Sequence, residues 1–125
     1  MLFDTDVLIW VQRGNPIAET LFENTPERYI SIQTYMELLQ CALSKQHLKI
    51  TKDFLKLFDV LVLPLTENIG HRAVVYIEEY GLSTGIRAGD AIIAATAIEN
   101  DMMLATTNYK HFKAIHPLSL KVLKV

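Results

Sequence analysis

Short apolar runs alternate along the chain with stretches in which apolar residues recur every three or four positions. Met1 to Asp4 reads as a short strand that runs into a helix through Trp10. Pro16 opens a second helix reaching about Glu23, with the proline in the first turn, where its missing N–H is harmless. Arg28 to Ser31 is strand-like and leads into a helix from about Gln33 to Leu43. A further helix covers about Thr51 to Leu57, and Val60 to Leu63 is an apolar strand. From Glu67 to Tyr80 the positions Ile69, Ala73, Tyr76, Ile77 and Tyr80 form a helical stripe, and Gly81 suits its end. Ala88 to Glu99 is apolar almost all round, the mark of a buried helix. Met102 to Ala105 and Leu118 to Val125 supply the last two strands.

Strands that alternate with helices predict parallel strands joined by crossover helices. The fold class is therefore α/β, a three-layer α/β/α domain around a central parallel sheet of about five strands. In such folds ligands bind beyond the carboxyl ends of the strands. Asp4 lies at one such end, and Thr106 to Asn108 follow another.

At 125 residues, half of them apolar, the chain reads as one domain over 1–125 with a single core. The longest nearly unbroken apolar run, Ala91 to Ile98, is too short to span a bilayer, so no membrane partner is expected. Met1 leads almost directly into a strand, which predicts no leader. The single cysteine, Cys41, makes no internal disulfide, so a reducing cytoplasm is the expected compartment. A net charge of −2 argues against a generic nucleic-acid binder, but the charge is unevenly spread. All 14 acids fall within residues 1–101, whereas the remainder holds Lys110, Lys113, Lys121 and Lys124 and no acid. Such a tail can meet phosphates, or its lysines can protect an edge strand from aggregation.

The acids carry the candidate chemistry. Asp4 has two readings, an N-cap of the next helix or a ligand. Asp6 in the first helical turn is favoured by the helix dipole in either case. Glu37 shares a polar stripe with Gln33, Gln40 and Ser44, which reads by periodicity as a solvated face. Asp90 instead shares its helical face with Ala94 and Ala97, so it begins a buried helix, and Gly89 lets the backbone turn there. A partly buried acid needs partners, and a metal is the obvious one. Asn108 caps a short helix or faces the site, and Thr106 is a strand-end hydroxyl. The four histidines lack ligand spacing, and no GxxxxGK[ST], GxGxxG or GxSxG motif is present. The available chemistry is thus carboxylate chemistry around a hard cation, Mg²⁺ or Mn²⁺, which activates water for displacement at phosphorus. Without the cation, repulsion among Asp4, Asp6, Glu37 and Asp90 at the sheet's carboxyl edge raises carboxylate pKa values.

Four segments taken together resemble the PIN domain of the VapC type, the ribonuclease toxin of toxin–antitoxin pairs. LFDTDVLIW resembles the family's first element, ISIQTYMELL its second, AGDAIIAATAI its third and LATTNYKHF its fourth, all in order through the whole chain. The resemblance implies Asp4, Glu37, Asp90 and Asn108 as catalytic residues and Asp6 and Thr106 as supporting ones. Asp4 and Asp90, and Glu37 with them, would hold the metal. It further implies a sheet of order 3-2-1-4-5, cleavage of RNA, a small antitoxin partner and a homodimer. Two positions depart from the family pattern: Asp6 stands where Asn, Ser or Thr is usual, and Asn108 where many members carry a fourth acid. Two other readings compete. DTDVL also resembles the opening of haloacid-dehalogenase phosphatases, but Ala94 occupies the place of the second acid that those need. The second is a non-catalytic PIN-like module that binds RNA or a partner. A receiver domain fails because Asp59 precedes its strand instead of following it.

Overall fold

In the computed structural model, which describes residues 1–125, Leu2 and Phe3 are both fully buried yet belong to different cores. They form strand β1 (Leu2–Phe3), and successive side chains of a strand point to opposite faces. Both faces of β1 are therefore covered. The other strands are β2 (Tyr29–Ser31), β3 (Leu61–Leu63), β4 (Leu104–Thr106) and β5 (Leu120–Val122). All pair in parallel in the order β3-β2-β1-β4-β5, with Leu2 opposite Tyr29 on one side and Leu104 on the other. The expected α/β/α architecture and strand order are borne out.

One core joins Leu2 and Leu104 to helices α5 (Glu67–Thr84), α6 (Ala88–Glu99) and α7 (Tyr109–Phe112). The other joins Phe3, Ile30 and Ala105 to α1 (Thr5–Gln12), α2 (Pro16–Asn24), α3 (Ile32–Gln40) and α4 (Lys45–Leu57). Phe22 is its centre, with ring centroids 5.4 Å from Phe3 and 5.3 Å from Phe58. Burying a side chain of this size stabilises by about 1.5–3 kcal/mol, so the sheet is pinned from both sides. As its composition predicts, α6 is buried along Ala91 and Ile93–Ala97.

The strand order places the site. The chain builds β1, β2 and β3 in one direction, then returns through α5 and α6 to lay β4 on the far side of β1. The reversal opens a crevice beyond the carboxyl ends of β1 and β4, the position where doubly wound sheets bind ligands.

Several boundaries differ from the pattern reading. The third helix stops at Gln40 instead of about Leu43, and the fourth begins at Lys45 instead of about Thr51. Ser44 starts the fourth by accepting from the His47 N–H at 3.0 Å, and its first turns are mostly exposed, so no apolar stripe announces them. The fifth helix runs through Gly81 to Thr84, because the left-handed cap is taken by Gly85 at φ 73°. Gly85, not Gly81, is the glycine that the turn requires. The last strand is three residues long, Leu120–Val122, not the whole of Leu118 to Val125.

Candidate active site

Asp4 immediately follows β1 and occupies the N-cap of α1, with extended backbone at φ −66° and ψ 153°. Its Oδ1 accepts from the Thr5 N–H at 2.8 Å, so the capping role is real. Its other oxygen does something a cap does not need. Oδ2 accepts from the Thr106 hydroxyl at 2.7 Å, which ties the end of β1 to the end of β4 across the crevice. The residue is only 5% exposed. Burial pushes its pKa from 3.8 up to about 7, and the Asp6 and Asp90 charges add to the rise, while the Thr106 and Thr5 hydrogen bonds oppose it. Burial outweighs the repulsion that the sequence reading made the cause, because water is excluded from the crevice floor.

Glu37 is half-buried in α3, not on a solvated face. Its Oε1 accepts from the Thr5 hydroxyl at 2.7 Å. Thr5 Oγ1 also stands 3.0 Å from Thr34 Oγ1. Its single proton serves the carboxylate, so Thr34 donates back to it. The polar stripe exists, but its Gln33–Glu37 end packs on the first turn of α6. A Cβ at Gly89 would meet Gln33 Nε2 at 3.0 Å and Glu37 Oε2 at 3.7 Å. Gly89 is therefore there for close approach of α3 to α6, not to turn the chain; it lies inside α6.

Asp90 sits in the first turn of α6 and accepts weakly from the Arg87 N–H at 3.4 Å. Its Oδ2 also lies 3.0 Å from His111 Nδ1, which in turn lies 2.8 Å from Asn108 Nδ2. The imidazole nitrogen serves one neighbour at a time: protonated it donates to Asp90, bare it accepts from Asn108. Asn108 stands at the N-cap of α7 without capping it by its side chain. Its backbone N–H instead donates to Thr106 Oγ1 at 3.0 Å. Thr106, fully buried, thus links Asp4 to Asn108. Asp6 is exposed on α1 and reaches the others only through its charge on Asp4.

The structure brings Asp4, Glu37, Asp90, Thr106 and Asn108 to one rim of the sheet and leaves Asp6 at its edge. Sequence reasoning missed Thr5, Thr34, Gln33 and His111. The spacing of His111, three residues after Asn108 at a helix start, was the available signal for one of them. None of Asp4, Glu37 and Asp90 is paired with a lysine or arginine. The acidic, histidine and cysteine side chains do not close into a group of three around a common point, so the acids gather more loosely than the sequence predicts.

The family model described as the PIN domain matches residues 1–116. The chain belongs to the PIN domain family. Several solved structures resemble this PIN domain over nearly its whole length. A toxin–antitoxin complex from Klebsiella pneumoniae is 30% identical with a TM-score of 0.83, covering 99% of this chain and 98% of that one. VapBC-1 from nontypeable Haemophilus influenzae is 26% identical with a TM-score of 0.77, covering 97% and 96%. A DNA-bound VapBC from Salmonella typhimurium, 23% identical with a TM-score of 0.79 and coverage of 97% and 96%, shares the fold. No curated protein matches the chain. PIN domains are in general nucleases that use divalent metals. The donors fit such an ion. They are hard oxygens, one of them buried and without a cationic partner, and a Mg²⁺-type ion takes one or two carboxylates while keeping several waters. No helix is long and apolar enough to cross a membrane.

Proposed function

We propose that this PIN domain is a metal-dependent endoribonuclease and the toxin of a toxin–antitoxin pair. The observation that carries the reading is Asp4: a carboxylate 5% exposed, at the switch point of the sheet, with no cationic side chain to balance it. Burying an ionised carboxylate costs several kcal/mol unless it is neutralised, and a bound cation supplies that neutralisation. Asp4 and Asp90 would hold the ion, with Glu37 contributing. Mg²⁺ or Mn²⁺ in that place supplies Lewis acidity at a phosphoryl oxygen and a water of lowered pKa.

The chain's own groups do the positioning. The Thr106 hydroxyl fixes the outer oxygen of Asp4, and Thr5 fixes Glu37 from the first turn of α1. His111, when its Nδ1 carries the proton, holds Asp90 from α7, and Asn108 takes up the same nitrogen when it is bare. Asn108 provides a neutral amide where an acid would add charge, so it orients more than it binds. The toxin role and an antitoxin partner rest on the likeness to the Klebsiella pneumoniae toxin–antitoxin complex; a homodimer as the working form is part of the same proposal and rests on the family resemblance alone. The test is cleavage of a single-stranded RNA with Mg²⁺ or Mn²⁺ against EDTA. Asp90→Asn should abolish cleavage and Asn108→Ala should only reduce it. Near wild-type cleavage by Asp90→Asn would remove Asp90 from the site. Hydrolysis of small phosphate esters without RNA cleavage would favour the phosphatase reading instead.

A further inference from the structure

We infer that Tyr109 and Lys113 of α7 and its end form a landing platform for a nucleotide of single-stranded RNA next to the bond that is cut. The inference rests on the ribonuclease reading and names where its substrate is held. Tyr109 directly follows Asn108 and opens α7, and it is 54% exposed although it is a large aromatic. Tyr109 belongs to neither core; Phe112 is the α7 residue that is buried. Lys113 holds its ammonium 6.0 Å from the Tyr109 ring centroid, one helical turn on. Lys110 is exposed beside them, and no acid occurs anywhere after Asp101.

Aromatic rings interleaved with cations suit single-stranded nucleic acid. The ring offers a face on which any base stacks, and the ammonium meets the adjoining phosphate. The arrangement also answers an electrostatic difficulty. The crevice itself carries Asp4, Glu37 and Asp90 with no lysine or arginine paired to them, so a polyanion is repelled from it in the absence of the metal. Lys110 and Lys113 place positive charge within a turn of Asn108 and offset that repulsion at the one side where β4 delivers the chain to the site. A duplex keeps its bases stacked on one another and offers no free face, so the platform selects unpaired RNA.

The experiment is equilibrium binding of a fluorescein-labelled single-stranded RNA oligonucleotide in EDTA, followed by anisotropy, with steady-state cleavage in Mg²⁺ alongside. Tyr109→Ala should weaken binding by roughly 5- to 150-fold, the effect of losing one base–aromatic stack. It should raise KM while leaving kcat near the wild-type value, since stacking holds ground state and transition state alike. Tyr109→Trp should retain binding. Lys113→Ala should lower the slope of log affinity against log salt by about 0.7, the loss of one phosphate contact on a single strand. Both residues are exposed, so the variants should melt like the wild type. If the wild type binds and cleaves RNA but Tyr109→Ala does so equally well, the platform is overturned and the nuclease reading stands. If the wild type neither binds nor cleaves RNA with any divalent metal, the nuclease reading fails and the platform with it. Equal loss of binding in Tyr109→Trp and Tyr109→Ala would assign the residue a packing role and also overturn the stack.

Discussion

Replacing Asp4 by Asn should make the metal-free protein more stable at alkaline pH, although it damages a helix cap. The pKa of Asp4 stands at about 7 in the folded chain against 3.8 for the free side chain, chiefly because it is buried. A folded state that holds its proton more tightly than the unfolded state loses stability as pH rises from about 4 to about 7, and the whole cost is present above that. At about 1.4 kcal/mol for each pH unit between the two values, the ionised carboxylate costs the fold about 4 kcal/mol. Asparagine carries no charge and escapes that cost. It keeps one acceptor oxygen for the Thr5 N–H or the Thr106 hydroxyl but not for both. Losing one buried hydrogen bond takes back about 1–2 kcal/mol. The net expectation is about 2–3 kcal/mol in favour of Asp4→Asn near pH 8, or on the order of 10 °C in Tm for a chain of this size.

The sign depends on pH, and that dependence separates this account from a general effect of substitution. Near pH 5 the folded wild type already carries a proton on Asp4, so most of the advantage should be gone. The assay is thermal and urea unfolding in EDTA across about pH 5 to 8, wild type against Asp4→Asn. A variant less stable than the wild type at every pH, by the roughly 1 kcal/mol that a lost cap costs, would refute the reasoning. Asp4 would then be a capping residue that is adequately solvated as an anion.

Three further outcomes are expected. Saturating Mg²⁺ or Mn²⁺ should raise the Tm of the wild type by something on the order of 10 °C, since a ligand at a hundred times its Kd adds about 2.7 kcal/mol; Asp4→Asn should respond less, and equal responses would detach Asp4 from the ion. Thr5→Val keeps the volume but removes the proton that Glu37 accepts, so it should lower kcat for RNA cleavage and cost about 1–2 kcal/mol of stability; unchanged kcat would show that Glu37 needs no support. Light scattering at micromolar protein should give the mass of a dimer, with exposed Leu65, Val74 and Ile77 along the α5–α6 groove available for cover; a monomer mass would count against it.

The fold was legible because each layer of the protein writes its own period into the sequence. Both faces of the sheet are covered, so its strands are short apolar runs, and the all-round apolar Ala88 to Glu99 could be nothing but a central helix. The misread boundaries share a cause. The start of α4 is exposed through Lys45, Gln46 and His47, and a helix that buries little in its first turns carries no apolar stripe to read. Its start signal is the Ser44 hydroxyl alone, a local hydrogen bond that hydropathy does not register. The extension of α5 past Gly81 has the same character, because which of two glycines takes a left-handed conformation depends on where the following strand and helix must go.

The site was legible in its acids and not in their supports, and the reason is geometric. Asp4 and Asp90 stand out in sequence because each interrupts an apolar stretch, and burial of a carboxylate is costly enough to need a reason. Glu37 was read as solvated because periodicity assigns a helix face its environment only by averaging over the face. The Gln33–Glu37 end of that face is covered by the start of α6, and Gly89 allows it, as the 3.0 Å from a Cβ there to Gln33 shows. No local pattern in α3 carries information about a glycine some fifty residues later. Thr5 is invisible for the opposite reason: it lies between two acids that attract all the attention, while its hydroxyl does the joining. The two readings of the opening DTD were therefore never exclusive. A carboxylate has two oxygens, and at Asp4 one starts a helix while the other is held across the sheet by Thr106. A pure cap would have no use for that second bond, and a cap on an exposed helix would not be buried to 5%. The burial raises the energy of the bare anion, and it is this raised energy that a divalent ion can release on binding.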